Sequence, residues 1–413
     1  MPILLSITKI LLGLGLFGLL CSSVYSALVV FAVRRFVRRR RTLAQRVKTF
    51  SPPLSLLKPL HGDEPNLETR LEGFFLQDYP NYEILFCARL AQDAGLQVAR
   101  SVAARYPKVP VQFLTTQEPV YTNAKVASLE RMASSARHDI LVISDSDVRV
   151  GPEYLREVAV PFISDPRTGV VTCLYRGVAE GQSLWSLLEG TAMSIEMSAG
   201  VLVAEWLEGM QFALGPTMAV RRACMEEIGG FGVLGPYCAD DFIIGNRIAR
   251  NGHRVVLSHH VIDHIILNEG FLESIEHQVR WMKSTRFSRP KGHFGSALTF
   301  STPFGLLSCL AATLLGLPLL GISLLAWSIL TRMLLAAVIG AKVVNDCSLL
   351  RTVLLYPLRD LMGFGYWAAS YSSNRILWRG EVFELLDQGL MRPYRPPTGI
   401  HPTAEETFNP PRS

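Results

Sequence analysis

An α/β domain built on a mostly parallel sheet, with membrane-spanning helices at both ends of the chain, is the architecture that this sequence predicts. Three observations lead there. Between about Leu54 and Val261, short apolar runs of β type alternate with helical ones, the pattern of βα units. One apolar run, LVISDSDVRV from Leu141 to Val150, stops abruptly at Asp145 and Asp147, two carboxylates that a buried strand delivers to the mouth of a sheet. Uncharged stretches long enough to cross a bilayer flank this region on both sides.

Composition agrees: 49% of the 413 residues are hydrophobic and only 18% are charged, which is rich for a purely soluble protein. Ile10 to Val33 is an uncharged run of about 24 residues, enough to cross a hydrocarbon core of about 30 Å. Arg34, Arg35, Arg38, Arg39, Arg40 and Arg41 follow at once, so the run reads as an uncleaved anchor with the rest of the chain on the cytoplasmic side. The arginines abut the span and carry few interleaved aromatics, which favours anionic lipid headgroups over nucleic acid as their partner. The 7 cysteines show neither a Cys-x-x-Cys pair nor a metal-ligand spacing.

Within the α/β region the expected strands are Leu54–Lys58, Tyr82–Cys87, Val111–Thr115, Ile140–Ser144 and Val170–Leu174. Helices are expected near Leu67–Gln77, Gln92–Tyr106 and Asn123–Ala136. Lys58, Asp145 and Asp147 then fall at carboxyl ends of strands, where open sheets bind ligands. No Gly-x-Gly-x-x-Gly follows the first strand and no P-loop is present, which excludes the commonest dinucleotide and NTPase sites. Asp145 and Asp147 have the hard oxygen chemistry that holds Mg²⁺ or Mn²⁺ against a diphosphate.

Five segments in order, LLKPLHGDEPNLETRLEGFFLQDYPNYEILFC, NAKV, SDSDVRV, ADDF and HQVRW, resemble the membrane-bound ceramide glucosyltransferase branch of the family 2 inverting glycosyltransferases. Within that branch, VTCLYRG, ALGPTMAVRR and the run RFSRPKGHFG…LTF look most like bacterial glycosyltransferases associated with hopanoid biosynthesis. The resemblance implies a GT-A-type nucleotide-sugar-binding domain. It also implies that Asp241, second acid of Ala239-Asp240-Asp241-Phe242, is the general base, with Asp240 a substrate-side neighbour that tunes it. Lys125 is implied as a nucleotide contact. Arg280 and Trp281 are implied to meet the diphosphate and the substrate, an Arg beside an indole being suited to both. His277 stands where the family has Gln or Arg, and a His there can still donate to a phosphate. Relatives carry an Asp for the uracil base where this chain has Leu90; Asp93 is the nearest substitute, with Lys58 also expected at the nucleotide.

Farther along, Leu184 to Trp206 is apolar but carries Glu189, Glu196 and Glu205, which suits an interfacial helix on the bilayer or a packed core helix. A span is expected near Phe304–Leu320 and a second near Ile322–Val344, whose Arg332 needs a partner in Asp346 or Asp360. A third apolar stretch, Val353–Ser373, is interrupted by Arg359 and Asp360. The domain reading is an anchor at 1–33, a basic linker at 34–53, a cytoplasmic catalytic domain with interfacial helices at 54–292, a region of two or three spanning helices at 293–375 and a loose tail at 376–413.

The expected function is transfer of a sugar, N-acetylglucosamine by the closest resemblance, from a UDP-sugar to a hydroxyl of a hopanoid-type lipid such as bacteriohopanetetrol, with inversion. Ceramide with UDP-glucose is the alternative. The expected location is a bacterial inner membrane. A processive polysaccharide synthase fits less well, because three or four spans and His277 give little basis for a translocation channel. A non-catalytic nucleotide-sugar-binding scaffold is the reading from a different class.

Overall fold

The computed structural model describes residues 2–43, 51–118, 120–181, 183–268, 270–378 and 380–395. Among them, eight strands form one sheet: β1 Leu54–Pro59, β2 Tyr82–Ala88, β3 Val111–Thr115, β4 Ile140–Ser144, β5 Val148–Arg149, β6 Thr168–Ala179, β7 Thr217–Arg221 and β8 Arg254–Ile266. Their order is β3-β2-β1-β4-β7-β6-β8-β5. Neighbours β3, β2, β1 and β4 run parallel, as do β6 and β8, while β7 and β5 are antiparallel to their neighbours. This is the mostly parallel sheet of an α/β domain that the sequence led one to expect.

The parallel half forms because its strands are mostly apolar on both faces. Every residue of β2 and β4 is buried, as in sheets covered on both faces by helices. Those covers are the helices Leu67–Phe75, Ala94–Arg105 and Ala124–Ser135, close to the expected ranges. Three strands were not expected. β5 is two residues long, β7 is the antiparallel insertion, and β8 reads VVLSHHVIDHII, in which histidines interrupt the apolar pattern. β6 also runs five residues beyond the expected Leu174.

The Leu184–Trp206 segment does not lie on the outside of the protein. It is a helix, Leu184–Thr191, a π-helical turn, Ala192–Met197, and a second helix, Ser198–Leu207, mostly buried against the sheet and the C-terminal helices. The packed-helix alternative therefore describes it. Its charges are matched inside the protein: Glu189 with His277, Glu196 with Arg359 and Glu205 with Arg39. Close approach to the sheet requires glycine. A Cβ on Gly177 of β6 would stand 2.6 Å from the Cα of Gly190, inside the distance real side chains keep.

The first helix runs Pro2–Leu43, so the expected linker at 34–53 is a continuous extension of the anchor as far as Leu43; residues 44–50 lie outside the described residues. Its apolar face, including Ile3, Ile10, Leu14 and Leu20, is exposed, as a lipid-facing surface would be. Its opposite face meets the Thr302–Leu314 helix at Gly15 and Gly18, where a Cβ would fall 2.3 Å from Ser308 Oγ and 2.2 Å from the Phe304 ring. Small residues let the two backbones approach in this way.

Three helical segments are long and apolar enough to cross a membrane: Pro2–Arg40, Leu184–Leu207 and Pro318–Lys342. The bent pair Pro290–Thr299 and Thr302–Leu314 makes a fourth if counted as one span. The span expected near Phe304–Leu320 is not continuous, because Pro318 opens a new helix rather than closing the old one. Arg332 is buried and its carboxylate partner is Asp360, at 3.4 Å, not Asp346; Asp346 instead accepts from Ser348 N and Thr352 Oγ1. The tail expected from residue 376 is partly ordered. Arg375–Trp378, Glu381–Leu385 and Met391–Pro393 form an antiparallel three-stranded sheet (β9 to β11), while residues 396–413 lie outside the described residues.

The Gly177–Gly190 contact gives a direct check. Replacing Gly177 with Ala should destabilise the protein by about 1–3 kcal/mol, read as a lower unfolding midpoint in detergent, because backbone rather than a flexible side chain must give way.

Candidate functional site

The site grows from the end of β4. The apolar strand stops at Ser144, and the following turn, Asp145-Ser146-Asp147, is fixed from several sides. Asp145 N donates to Pro216 O at 3.1 Å and Ile265 N donates to Asp147 O at 2.8 Å. Arg70, almost wholly buried, donates through Nε to Ser146 O at 3.1 Å and pairs through Nη2 with Glu64, which in turn accepts from Ser146 Oγ at 2.6 Å. The two carboxylates are thereby held while their side chains stay about one third exposed, 29% for Asp145 and 32% for Asp147.

Opposite this turn stands the start of the Asp240–Arg250 helix. The preceding loop is pinned by the C-terminal sheet: Met391 N donates to Pro236 O at 2.8 Å and Cys238 N to Gly389 O at 3.0 Å. Asp240 is buried, and its Oδ1 accepts from Asn123 Nδ2 at 3.3 Å. Asp241 lies against Gly215, whose missing side chain leaves room: a Cβ there would be 3.0 Å from Asp241 Oδ2.

Lys125 joins the two sides. Its Nζ is 2.6 Å from Asp145 Oδ1 and 3.6 Å from Asp240 Oδ2. Asn123 caps its helix, accepting from Lys125 N at 3.1 Å, and so sets the direction in which the lysine leaves. Burial disfavours the Lys125 charge, but Asp145 and Asp240 outweigh burial and hold the ammonium above its usual range.

The acids then divide. Burial raises Asp145 despite Lys125. Burial also opposes ionisation of Asp147, yet the charge of His264 and its contact with Asp147 Oδ2, at 3.3 Å, hold that carboxyl well below the carboxylate range. Burial and the neighbouring Asp240 push Asp241 up to about 7. An acid poised there can accept a proton at neutral pH, which is what a general base requires.

Lys125, Asp145, Asp147, Asp240 and Asp241 are thus brought together as the sequence suggested. Trp281 joins them through His264, whose ring is 6.3 Å away edge-on. His277 packs 4.4 Å from Trp281, but its Nδ1 is engaged by the buried Glu189 at 2.5 Å and by Asn268 at 3.1 Å, so only its other nitrogen is left for a ligand. Arg280 faces the C-terminal sheet, 5.9 Å above the Trp378 ring.

Lys58 and Asp93 are each engaged by the protein itself. Lys58 is fully buried, lies 3.8 Å from the centre of the Phe74 ring, and donates to Asp145 O and Ser144 Oγ. It braces the turn from beneath, and burial brings its ammonium down to about 7. Asp93 caps the Ala94–Arg105 helix, with one oxygen accepting from Leu96 N at 3.3 Å and the other from Gly62 N at 2.9 Å. Both oxygens thus join the loop at Gly62 to the start of that helix.

Sequence reasoning missed Asn123, Gly215, Glu189 and His264. Asn123 carried a signal, an Asn immediately before a helical run. His264 did not, because β8 itself went unrecognised.

A hard divalent cation fits the turn. Asp147 Oδ1 and Asp240 Oδ2 are buried oxygens without a hydrogen-bond partner. Among the described residues no group of three or more His, Cys, Asp or Glu side chains is arranged to hold a metal. An ion at Asp145 and Asp147 would therefore take its remaining oxygens from a ligand or water, the usual manner of Mg²⁺ at a diphosphate.

Comparison with known proteins adds the following. The sequence model of glycosyl transferase family 21 matches residues 15–391. Ceramide glucosyltransferase 1 of Caenorhabditis elegans is 27% identical over 209 residues, 51% of this chain and 44% of that protein, so the match spans less than half of that relative. Ceramide glucosyltransferase 3 of the same organism is 23% identical over 362 residues, covering 83% of this chain and 74% of its own length. Among solved structures, a mannosyltransferase from Pyrobaculum calidifontis in complex with GDP-Man and Mn²⁺ covers 86% of this chain and 97% of its own at 17% identity, with a TM-score of 0.45.

The raised Asp241 has a consequence for stability. A carboxyl whose folded value lies above its unfolded one stabilises the fold at low pH and loses that contribution as pH rises through about 7. Asp241→Asn should therefore raise stability at pH 8, by about 1–3 kcal/mol, with the gain shrinking toward pH 5; unfolding midpoints of both proteins across that range measure it.

Proposed function

Because this chain belongs to glycosyl transferase family 21, we propose that it transfers glucose from UDP-glucose to the hydroxyl of a ceramide-type lipid in the membrane, with inversion at the anomeric carbon. The observation that carries this reading is the facing pair of acidic groups tied by Lys125, with Asp241 at about 7 on the side away from the strand. Similarity to ceramide glucosyltransferases supports the lipid acceptor, and the long apolar helices support a protein that meets its acceptor in the bilayer. In this reading the domain faces the cytoplasm, where the arginines after the first span would lie.

Asp241 takes the proton of the acceptor hydroxyl as that oxygen attacks the anomeric carbon, and the nucleoside diphosphate leaves from the opposite face. A single displacement needs one base and inverts the centre. Asp240 sits beside Asp241 and keeps its affinity for a proton high. Lys125 offers positive charge between base and diphosphate. A divalent cation, Mg²⁺ or Mn²⁺, held by Asp145 and Asp147 would neutralise charge on the departing diphosphate. Lys58, Arg70 and His264 hold the carboxylate turn in place; Trp281 and His277 supply a wall on which a sugar can pack.

A hopanoid acceptor with UDP-N-acetylglucosamine is the second reading. It is supported by VTCLYRG at 171–177, ALGPTMAVRR at 213–222 and RFSRPKGHFG at 286–295.

Membranes containing the protein, given labelled UDP-glucose or UDP-N-acetylglucosamine with ceramide or bacteriohopanetetrol, separate the readings by which lipid becomes labelled. Glucosylated ceramide is expected, and Asp241→Asn should lower turnover by about 10²–10⁴-fold. Undiminished transfer by that variant would remove Asp241 as the base, and nucleotide-sugar binding with no transfer by the parent would favour a scaffold. Because the base must be ionised, turnover should fall on the acid side of pH about 7, by about tenfold per pH unit. Chelation of divalent cations should abolish transfer and added Mn²⁺ or Mg²⁺ restore it; full activity in excess chelator would exclude the cation.

A further inference from the structure

Next to the site, where the catalytic domain meets the C-terminal helices, three polar side chains are left incompletely paired. Gln278 follows His277 on the Phe271–Ser288 helix and is 4% exposed; Arg359, in the middle of the Leu349–Ala369 helix, is 2% exposed. Arg359 Nη2 donates to Gln278 Oε1 at 3.0 Å and stands 3.2 Å from Glu196 Oε2. Beyond those contacts Gln278 Nε2, Arg359 Nε, Arg359 Nη1 and Glu196 Oε2 are buried without a hydrogen-bond partner.

Orphaned polar atoms are costly, and four within one contact group call for a ligand or ordered water. Two further features point the same way. Glu196 lies on the π-helical turn, a distortion that concentrates at functional sites. Part of its side chain reaches the surface, 25% exposed in all, while its Oε2 is turned inward and buried beside Arg359. Gly363 lets the group pack closely: a Cβ there would fall 2.7 Å from Phe300 Cε1, 2.9 Å from Arg359 Nη1 and 3.3 Å from Glu196 Oε2. The neighbouring Asp360, by contrast, is fully used, accepting from Ser301 N, Thr302 N and Arg332.

Resting on the lipid-acceptor reading above, we infer that Glu196, Gln278 and Arg359 form the seat for the polar head of the acceptor lipid. The free donors of Gln278 and Arg359 bind an oxygen of the lipid, and Glu196 accepts from its hydroxyl or amide. The ligand class is a lipid that carries both an oxygen acceptor and an O–H or N–H donor. Diacyl phosphatidylcholine, which has no such donor, does not fit.

The full-length protein in phosphatidylcholine nanodiscs, examined by native mass spectrometry with added ceramide or bacteriohopanetetrol, tests this. The parent should retain one of the two lipids, and Gln278→Leu should retain about tenfold less of it with an unchanged unfolding midpoint. In turnover assays KM for that lipid should rise while KM for the sugar donor stays fixed. Should Gln278→Leu not fold, Gly363→Ala, whose methyl crowds Arg359 Nη1 and Glu196 Oε2, carries the test. Equal retention by parent and variant, or no retention of either lipid by the parent, overturns the seat and leaves a water-filled structural cluster. The two readings fail separately. Lipid retention through Gln278 without sugar transfer ends the proposed activity and keeps the seat; transfer with an unchanged lipid KM in Gln278→Leu does the reverse.

Discussion

One ammonium group holds the site together. Lys125 Nζ stands between Asp145, at the end of a strand, and Asp240, at the start of a helix more than ninety residues later in the chain. Four carboxylates crowd this region, and without a cation among them their mutual repulsion in a partly buried setting would push the strand end and the helix apart. Lys125 offsets part of that repulsion at Asp145 and Asp240. Burial and the neighbouring Asp240 push Asp241 up to about 7. The same arrangement that lets the fold close therefore also differentiates the acids, Asp147 held ionised by His264 and Asp241 poised near neutrality.

How much of this was legible depended on how each part is stabilised. Strands β1, β2 and β4 are buried almost throughout and β3 is half-buried beside them, so their sequences are dominated by apolar residues and their limits fell within two residues of expectation. β8 was invisible because His259, His260 and His264 sit within it, each accommodated by tertiary partners that no local pattern reports. Lys58 looked like a ligand contact because it ends a strand. Only three-dimensional packing shows it buried over Phe74 beneath the carboxylate turn. Pro318 read as punctuation within a span, whereas proline at a helix start is well tolerated and here begins a new one. For Arg332 the sequence supplied two candidate acids; the choice of Asp360 follows from which helices touch, a fact beyond one-dimensional reading.

Membrane and catalytic regions are not simply strung together. The Phe271–Ser288 helix carries His277 and Trp281 toward the carboxylates, while Gln278 on the same helix bonds Arg359 of a C-terminal helix. From the other side, the small C-terminal sheet fixes the loop that delivers Asp240 and Asp241. Elements that follow the α/β domain in sequence thus complete its site. The placement of Asp240 and Asp241 is set partly by residues around Gly389 and Met391.

The account rests on a single displacement at the anomeric carbon, driven by one base. Its most direct test is the stereochemistry of the product: proton NMR of the lipid-linked sugar formed from an α-linked UDP-sugar. A β-linked product is predicted. An α-linked product would contradict the one-base mechanism and the role given to Asp241.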